Sequence, residues 1–115
     1  MNASQLAALR DALEGQDRVL RHEIAELGAD PDVDEVTFDA DAGFSDRSHS
    51  TEERGRVIAM GRTLRANLRE VERALAKLAA GTYGACERCG RPIDDERLEA
   101  IPWTPLCIDC KRLGD

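Results

Sequence analysis

Four cysteines near the end of the chain, in the pattern Cys86-x2-Cys89-x17-Cys107-x2-Cys110, constrain the fold more tightly than any other feature. Each Cys-x-x-Cys pair places two thiolates on one side of a tight turn, and two such turns supply the tetrahedron of soft ligands that zinc prefers. There is no fifth cysteine, and neither histidine lies near the pairs, so no ligand position is left for water. The pattern predicts one structural Zn²⁺ and no catalytic metal.

Two other uses of paired cysteines have to be weighed, namely two disulfides or a redox-active Cys-x-x-Cys. The N-terminus lacks the basic region and apolar stretch of an export signal, so we expect a cytoplasmic protein with reduced thiols. No apolar run approaches the ~20 residues that span a bilayer, and no membrane association is expected. Zinc is therefore favoured, and four mutual ligands leave no thiol as a nucleophile, so no enzyme is predicted.

The charge of the chain bears on its partners. The formal net charge is −7 with a pI near 4.8, whereas proteins that bind phosphates usually present a basic patch. The segment 81–115 itself has five basic and seven acidic residues. We expect a protein partner and no sequence-specific DNA binding.

Two stretches have the apolar periodicity of long helices. The first, about 3–28, repeats leucine every seven residues and ends at Gly28. The second begins after a capping box at Ser50 and Glu53 and ends at Gly81. The predicted apolar seams are Leu6, Leu9, Leu13, Leu20, Ile24 and Leu27 in the first helix and Val57, Gly61, Leu64, Leu68, Val71, Leu75 and Leu78 in the second. The charged residues between the seam positions, Arg65 among them, are predicted to form a solvated face.

These patterns predict a mostly α protein, in which an antiparallel helical hairpin (a coiled coil) precedes a small four-cysteine zinc finger. Intermolecular pairing of the two seams is the alternative. The predicted domains are the hairpin, 1–80, with an acidic tip loop at about 29–49, and the finger, 81–115. From Asp30 to Asp46 the tip has seven acids and no base, which suits an approach to cations or to a basic cleft.

The finger is too short to fold by apolar burial alone, so its folding should be coupled to metal binding. Its predicted core consists of Leu98, Ile101, Trp103 and Leu106. Trp103, the one tryptophan, is expected to pack against the base of the hairpin, with a ligand contact as the alternative. Tyr83 is expected to pack in the turn between the second helix and the finger, and His22 to lie on the surface.

The stretch Gly81-Thr82-Tyr83-Gly84-x-Cys86-x-x-Cys89-Gly90-x-x-Ile93-x-x-x-Arg97-Leu98-Glu99-Ala100-x-Pro102-x-x-x-Leu106-Cys107-Ile108-x-Cys110-Lys111 resembles the zinc finger of the DksA/TraR family of RNA polymerase regulators. The match covers about 30 residues, and the preceding helices agree with the family in kind and length. The resemblance implies a non-enzymatic regulator that inserts its arm into the secondary channel of RNA polymerase and modulates initiation with an acidic tip.

In the family the tip reads Asp-x-x-Asp-x-Ala. Asp46 lies 40 residues before Cys86, the offset that resembles the second tip aspartate, while Gly43 occupies the position of the first. The resemblance therefore assigns the tip role to Asp46, with Asp41 or Asp39 as substitutes for the missing acid.

Some family members respond to ppGpp through basic residues near the finger. Lys111 matches one of these and is a candidate partner contact, but Ile101 replaces their arginine, so no ppGpp dependence is expected. The alternative function is a zinc-finger adaptor that binds DNA or another protein without entering the channel.

Overall fold

The computed structural model describes residues 1–31 and 51–114, and these residues form four helices. The helices are α1 (Ala3–Glu26), α2 (Thr51–Ala80), α3 (Asp95–Ala100) and α4 (Ile108–Arg112). Both long helices were predicted to within two residues at their described ends. Ser50, the predicted cap of α2, and the tip residues Asp39, Asp41 and Asp46 lie outside the described residues.

The start of α1 is held by a reciprocal pair of hydrogen bonds. The backbone nitrogen of Gln5 donates to Oδ1 of Asn2, and the backbone nitrogen of Asn2 donates to Oε1 of Gln5, both at 2.8 Å. This is the capping-box geometry, in which cap and third helical residue satisfy each other's exposed N–H groups. Asparagine and glutamine at this spacing are thus a local signal that fixes where α1 begins.

Both long helices end in the same turn. Gly28 and Gly81 adopt positive φ angles of 85° and 78°, a conformation that is strained for residues with a Cβ atom. In each case the residue after the glycine donates to a carbonyl five residues back, from Ala29 to Ile24 at 3.3 Å and from Thr82 to Lys77 at 2.9 Å. These bonds define the Schellman motif and confirm the predicted glycine stops.

The chain divides into two compact units. One contains Met1–Asp17 with Glu70–Asp115, and the other is Arg18–Arg69. The first unit joins the start of α1 to the end of α2, and the second joins the end of α1 to the start of α2. This grouping is that of an antiparallel pair, and the predicted fold class is confirmed.

The buried side chains follow the predicted seams. In the first unit they include Leu9, Leu13, Val71 and Ala74, and in the second Leu20, Ile24 and Leu68. Full burial of a leucine or isoleucine side chain contributes about 1.5–3 kcal/mol, so a few such residues per unit stabilise the paired helices.

Arg65 corrects the prediction of a wholly solvated charged face on α2. Only 4% of its surface is exposed. It lies four residues after Gly61 and three before Leu68, and so shares the inward stripe of those two buried residues. A long aliphatic stem allows arginine to cover apolar surface as a hydrophobic residue would.

Candidate metal centre

The first cysteine pair lies in a small hairpin turn. An isolated antiparallel bridge joins Ala85 to Pro92, and the Cys86 nitrogen donates to the Arg91 carbonyl at 2.9 Å. Inside this turn the Gly90 nitrogen donates back to the Cys86 carbonyl at 2.9 Å, and Gly90 has a φ of 77°. Glycine is suited to this position because the loop must close in a left-handed conformation. The turn directs both sulfurs of the pair to one side.

The second pair lies at the start of α4. Cys107 is the residue before the helix, and its carbonyl accepts the first helical hydrogen bond, from the Lys111 nitrogen at 3.0 Å. Cys110 follows in the first turn. The two pairs are also linked, because Nη1 of Arg88 donates to the Cys110 carbonyl at 3.2 Å and to the Gly114 carbonyl at 2.9 Å.

The two turns bring all four sulfurs together. The Sγ atoms of the four cysteines lie within 4.8 Å of one another, and those of Cys89 and Cys107 are 3.8 Å apart. A tetrahedral ion with Zn–S bonds of about 2.3 Å would hold neighbouring sulfurs about 3.8 Å apart. All four cysteines are free thiols, so the alternative of two disulfides is not formed. The donor set and its spacing fit one zinc ion.

The protein alone does not favour four thiolates in this space. A hydrogen bond from the Cys89 backbone, together with smaller contributions, lowers the pKa of Cys86 to about 6. Burial, reinforced by the neighbouring sulfurs, raises the pKa of Cys110 to about 12. Like charges this close resist joint ionisation, whereas a divalent cation at their centre stabilises all of the thiolates.

A compact apolar cluster lies beneath the sulfurs. It consists of the buried residues Cys86, Ile93, Leu98 and Cys110, with Tyr83, Leu106 and Cys107 packed against it. The predicted core positions Leu98 and Leu106 are confirmed, as is the packing role of Tyr83.

Ile101 and Trp103 were wrongly assigned to this core. Both are half-buried and instead line a cavity of about 270 Å³. Its other lining residues are Glu70, Arg97, Thr104, Pro105, Leu106 and Lys111. Lys111, the predicted partner contact, thus lies at a concave surface shared with Glu70 of α2.

Side chains organise the loop that leads to the second pair. Nε of Arg97 donates to the Leu106 carbonyl at 3.0 Å, and the Thr104 hydroxyl donates to the same carbonyl at 3.1 Å. The Tyr83 hydroxyl donates to the Pro102 carbonyl at 2.8 Å, and burial raises the pKa of Tyr83 to about 12. The loop is therefore held both from α3 and from the turn that follows α2.

Glu87 connects the first pair to α2. Its Oε1 accepts a hydrogen bond from Nη2 of Arg73, and its Oε2 accepts one from Nζ of Lys77 at 2.6 Å. Burial disfavours the charged carboxylate, but Lys77 and Arg73 together outweigh it, and the pKa of Glu87 is lowered. We call these three residues the Glu87 bridge.

Sequence reasoning missed the roles of Glu87, Arg88 and Arg97. The partners of Glu87 lie 10 and 14 residues upstream on α2, and helical periodicity gives no sign of these contacts. Arg88 and Arg97 bond to backbone carbonyls, and such bonds leave no pattern in the side-chain sequence. His22, in contrast, is exposed as predicted, with Nε2 3.1 Å from Glu26.

Comparison with known proteins places this centre in a family. The family model of the prokaryotic dksA/traR C4-type zinc finger matches residues 81–113. The RNA polymerase-binding transcription factor DksA of Escherichia coli (strain K12) is 36% identical over 118 residues, which cover 100% of this chain and 74% of that protein. The chain belongs to the DksA/TraR family.

Two further similarities cover different shares of the chain. The structure of transcription factor DksA2 from Pseudomonas aeruginosa matches with a TM-score of 0.69 and 30% identity, over 98% of this chain and 84% of that one. An uncharacterized protein of Aquifex aeolicus is 58% identical over 45 residues, 39% of this chain and only 31% of that protein. The match to the C4-type zinc finger and the four clustered sulfurs together show that the cofactor of this chain is one Zn²⁺, as predicted.

Among residues 1–31 and 51–114, no helix is both long and apolar enough to cross a membrane.

Proposed function

We propose that this chain binds RNA polymerase through the secondary channel of the enzyme and modulates transcription initiation with its acidic tip. The observation that supports this most directly is the match to the RNA polymerase-binding factor DksA, which extends over the whole chain. We propose that residues 81–115 form the finger and that residues 1–80 form the hairpin. The tip loop of the hairpin, at about 29–49, enters the channel.

In this proposal Cys86, Cys89, Cys107 and Cys110 hold the zinc ion. When bound, the ion would stabilise the four thiolates and fix the turns of Cys86/Cys89 and Cys107/Cys110, which we call the first and second knuckles, against each other. The ion takes no part in a reaction, because four protein ligands leave no open coordination position. The finger in turn holds the end of α2, through contacts that include the Glu87 bridge.

We propose that Asp46 acts near the active centre of the polymerase. Gly43 occupies the position of the first tip aspartate, and Asp41 or Asp39 takes the role of that acid. A carboxylate in a confined channel alters the local electrostatic field far more than one in water, because the surroundings screen it less. The proposal for these three residues rests on the sequence pattern of the tip.

A pull-down with core polymerase tests binding, and run-off transcription from the captured complex tests regulation. The parent chain is expected to bind, and Asp46→Asn to bind equally well with a reduced effect on initiation. Asp11→Asn, an exposed aspartate of α1, is the matched control and should behave like the parent. Failure of the parent to bind polymerase would reject the proposal. Binding to duplex DNA that falls steeply with salt would instead favour an adaptor.

We further propose that ppGpp does not modulate this chain. Lys111 shares its cavity with Ile101, which offers no positive charge, and with Glu70, which repels phosphate. The other basic residue that lines the cavity, Arg97, already donates to the Leu106 carbonyl. Transcription assays with and without ppGpp should give the same response to the chain. A ppGpp-dependent change that Lys111→Ala abolishes would contradict this.

A further inference from the structure

Glu87 joins its own cysteine turn to two other parts of the chain. It lies between Cys86 and Cys89 in the first knuckle. Its carboxylate accepts hydrogen bonds from Arg73 and Lys77 of α2, while its backbone nitrogen donates to the Pro105 carbonyl at 2.9 Å. One residue therefore connects the first knuckle, the loop before the second knuckle and the last turns of α2.

The Glu87 bridge is partly shielded from solvent. The side chains of Glu87 and Lys77 are 26% and 24% exposed, and that of Arg73 is 58% exposed. Arg73 and Lys77 are four residues apart, so they lie one turn apart on the same face of α2. A single carboxylate can therefore bond to both, and this geometry is specific to one orientation of the knuckle.

The chain between Lys77 and Glu87 passes through two glycines with positive φ, Gly81 at 78° and Gly84 at 98°. Glycine leaves the backbone more conformations than any other residue. Besides the Schellman bond from the Thr82 nitrogen to the Lys77 carbonyl, at 2.9 Å, the side-chain bridge closes this segment. The Glu87 bridge is therefore one of the contacts that can set the direction in which the finger leaves α2.

We propose that Glu87 is a positioning residue that couples metal loading of the first knuckle to the orientation of the finger on α2. Cys86 and Cys89 flank Glu87, so holding both sulfurs at one ion fixes the backbone from which the carboxylate reaches α2. The expected effect on RNA polymerase rests on the proposed function: the polymerase binds the chain when the finger and α2 are held in this arrangement.

The test compares Glu87→Gln, which keeps the side-chain shape, with Glu99→Gln, an exposed finger residue on α3. Amide hydrogen exchange of Gly81 and Thr82 is followed in the full chain, loaded with zinc and after chelation. In Glu87→Gln with zinc bound, these amides should exchange about tenfold faster than in the parent, the scale of one charge-assisted hydrogen bond. Zinc content should remain one per chain, and Glu99→Gln should match the parent.

Two further measurements separate positioning from a purely structural role. The polymerase concentration for half-maximal binding should rise several-fold in Glu87→Gln, and the triple exchange Glu87→Lys, Arg73→Glu, Lys77→Glu should restore it. Parent-like exchange at Gly81 and Thr82 in Glu87→Gln would overturn the inference, as would faster exchange with unchanged polymerase binding. Hydrogen exchange is measured without polymerase, so the two proposals can fail separately. Failure of the parent chain to bind polymerase would contradict the proposed function, and the exchange rates would still test the role of Glu87.

Discussion

Leu98 offers a direct way to measure how strongly folding and metal binding are coupled in the finger. Its side chain is 2% exposed and lies in the cluster beneath the sulfurs. Apart from the two buried cysteines, only Ile93 and Leu98 are buried in that cluster. Truncation to alanine therefore removes a large part of the apolar core without touching a ligand.

The magnitude follows from the surroundings of Leu98. Core leucine-to-alanine changes cost about 2–5 kcal/mol, depending on how far the site can collapse. Here the neighbours Tyr83 and Leu106 are only partly buried and can move inward, so we expect about 2–3 kcal/mol, in the lower half of that range. If the finger folds only with metal, this cost appears in the binding constant, as an apparent zinc affinity about 30- to 150-fold weaker.

The assay is a competition between the zinc-loaded chain and a chromogenic chelator of known affinity. The pH must be fixed, because the thiols release protons when they bind metal. Leu113→Ala is the matched control: Leu113 is 78% exposed, and its truncation should change the affinity by no more than about twofold.

Equal zinc affinity of Leu98→Ala and Leu113→Ala would refute the reasoning. It would mean that the knuckles reach their metal-binding geometry without the cluster beneath them. A weaker affinity in Leu98→Ala alone, with one zinc still bound per chain at saturation, would support coupled folding and binding.

Four more substitutions test separate parts of the fold, each by thermal or denaturant unfolding of the zinc-loaded chain. Gly81→Ala should destabilise it by about 1 kcal/mol because of the positive φ there, whereas Gly55→Ala, inside α2 with open space around it, should stabilise it by about 0.5–1 kcal/mol; the same sign for both would contradict this. Tyr83→Phe should lower the free energy of unfolding by about 1 kcal/mol, because the hydrogen bond to the Pro102 carbonyl is lost. Absorbance titration of the parent should give a Tyr83 pKa of about 12, and a midpoint near pH 10 would show that the hydroxyl is solvated. Asn2→Ala should cost about 1 kcal/mol by removing the capping box of α1, and no loss would show that the box is frayed in solution.

The linkage between Tyr83 ionisation and stability has a definite sign. Burial raises the folded-state pKa of Tyr83 to about 12, above the value of about 10 in an unfolded chain. The neutral phenol is thus favoured by folding, and its contribution is fully present below pH 10. That contribution should decline as the pH rises from about 10 to about 12.

The long helices were predictable because their signals are local. Leucine spacing identifies the buried face of α1, and Gly28 and Gly81 mark the ends, since only glycine adopts their φ without strain. The sulfur cluster was also predictable, because the two residues between each pair of cysteines already dictate a tight turn.

The remaining features depend on atoms far apart in sequence. Arg65 is buried because it lies on the inward stripe of α2, whereas a rule based on charge alone assigns it to solvent. Trp103 lines a cavity, and Ile93, which was not among the predicted core positions, is buried in the finger core. The tip role of Asp46 remains a prediction.

The location of Trp103 has a practical consequence for spectroscopy. It is the one tryptophan among 115 residues, and its ring lines the cavity that Glu70 of α2 also lines. Its emission therefore senses, without any attached dye, whether that crevice is dry, flooded or filled by a bound molecule. This matters because thiol-directed dyes would attack the cysteines of the metal centre, leaving the native indole as the probe that does not disturb what it observes.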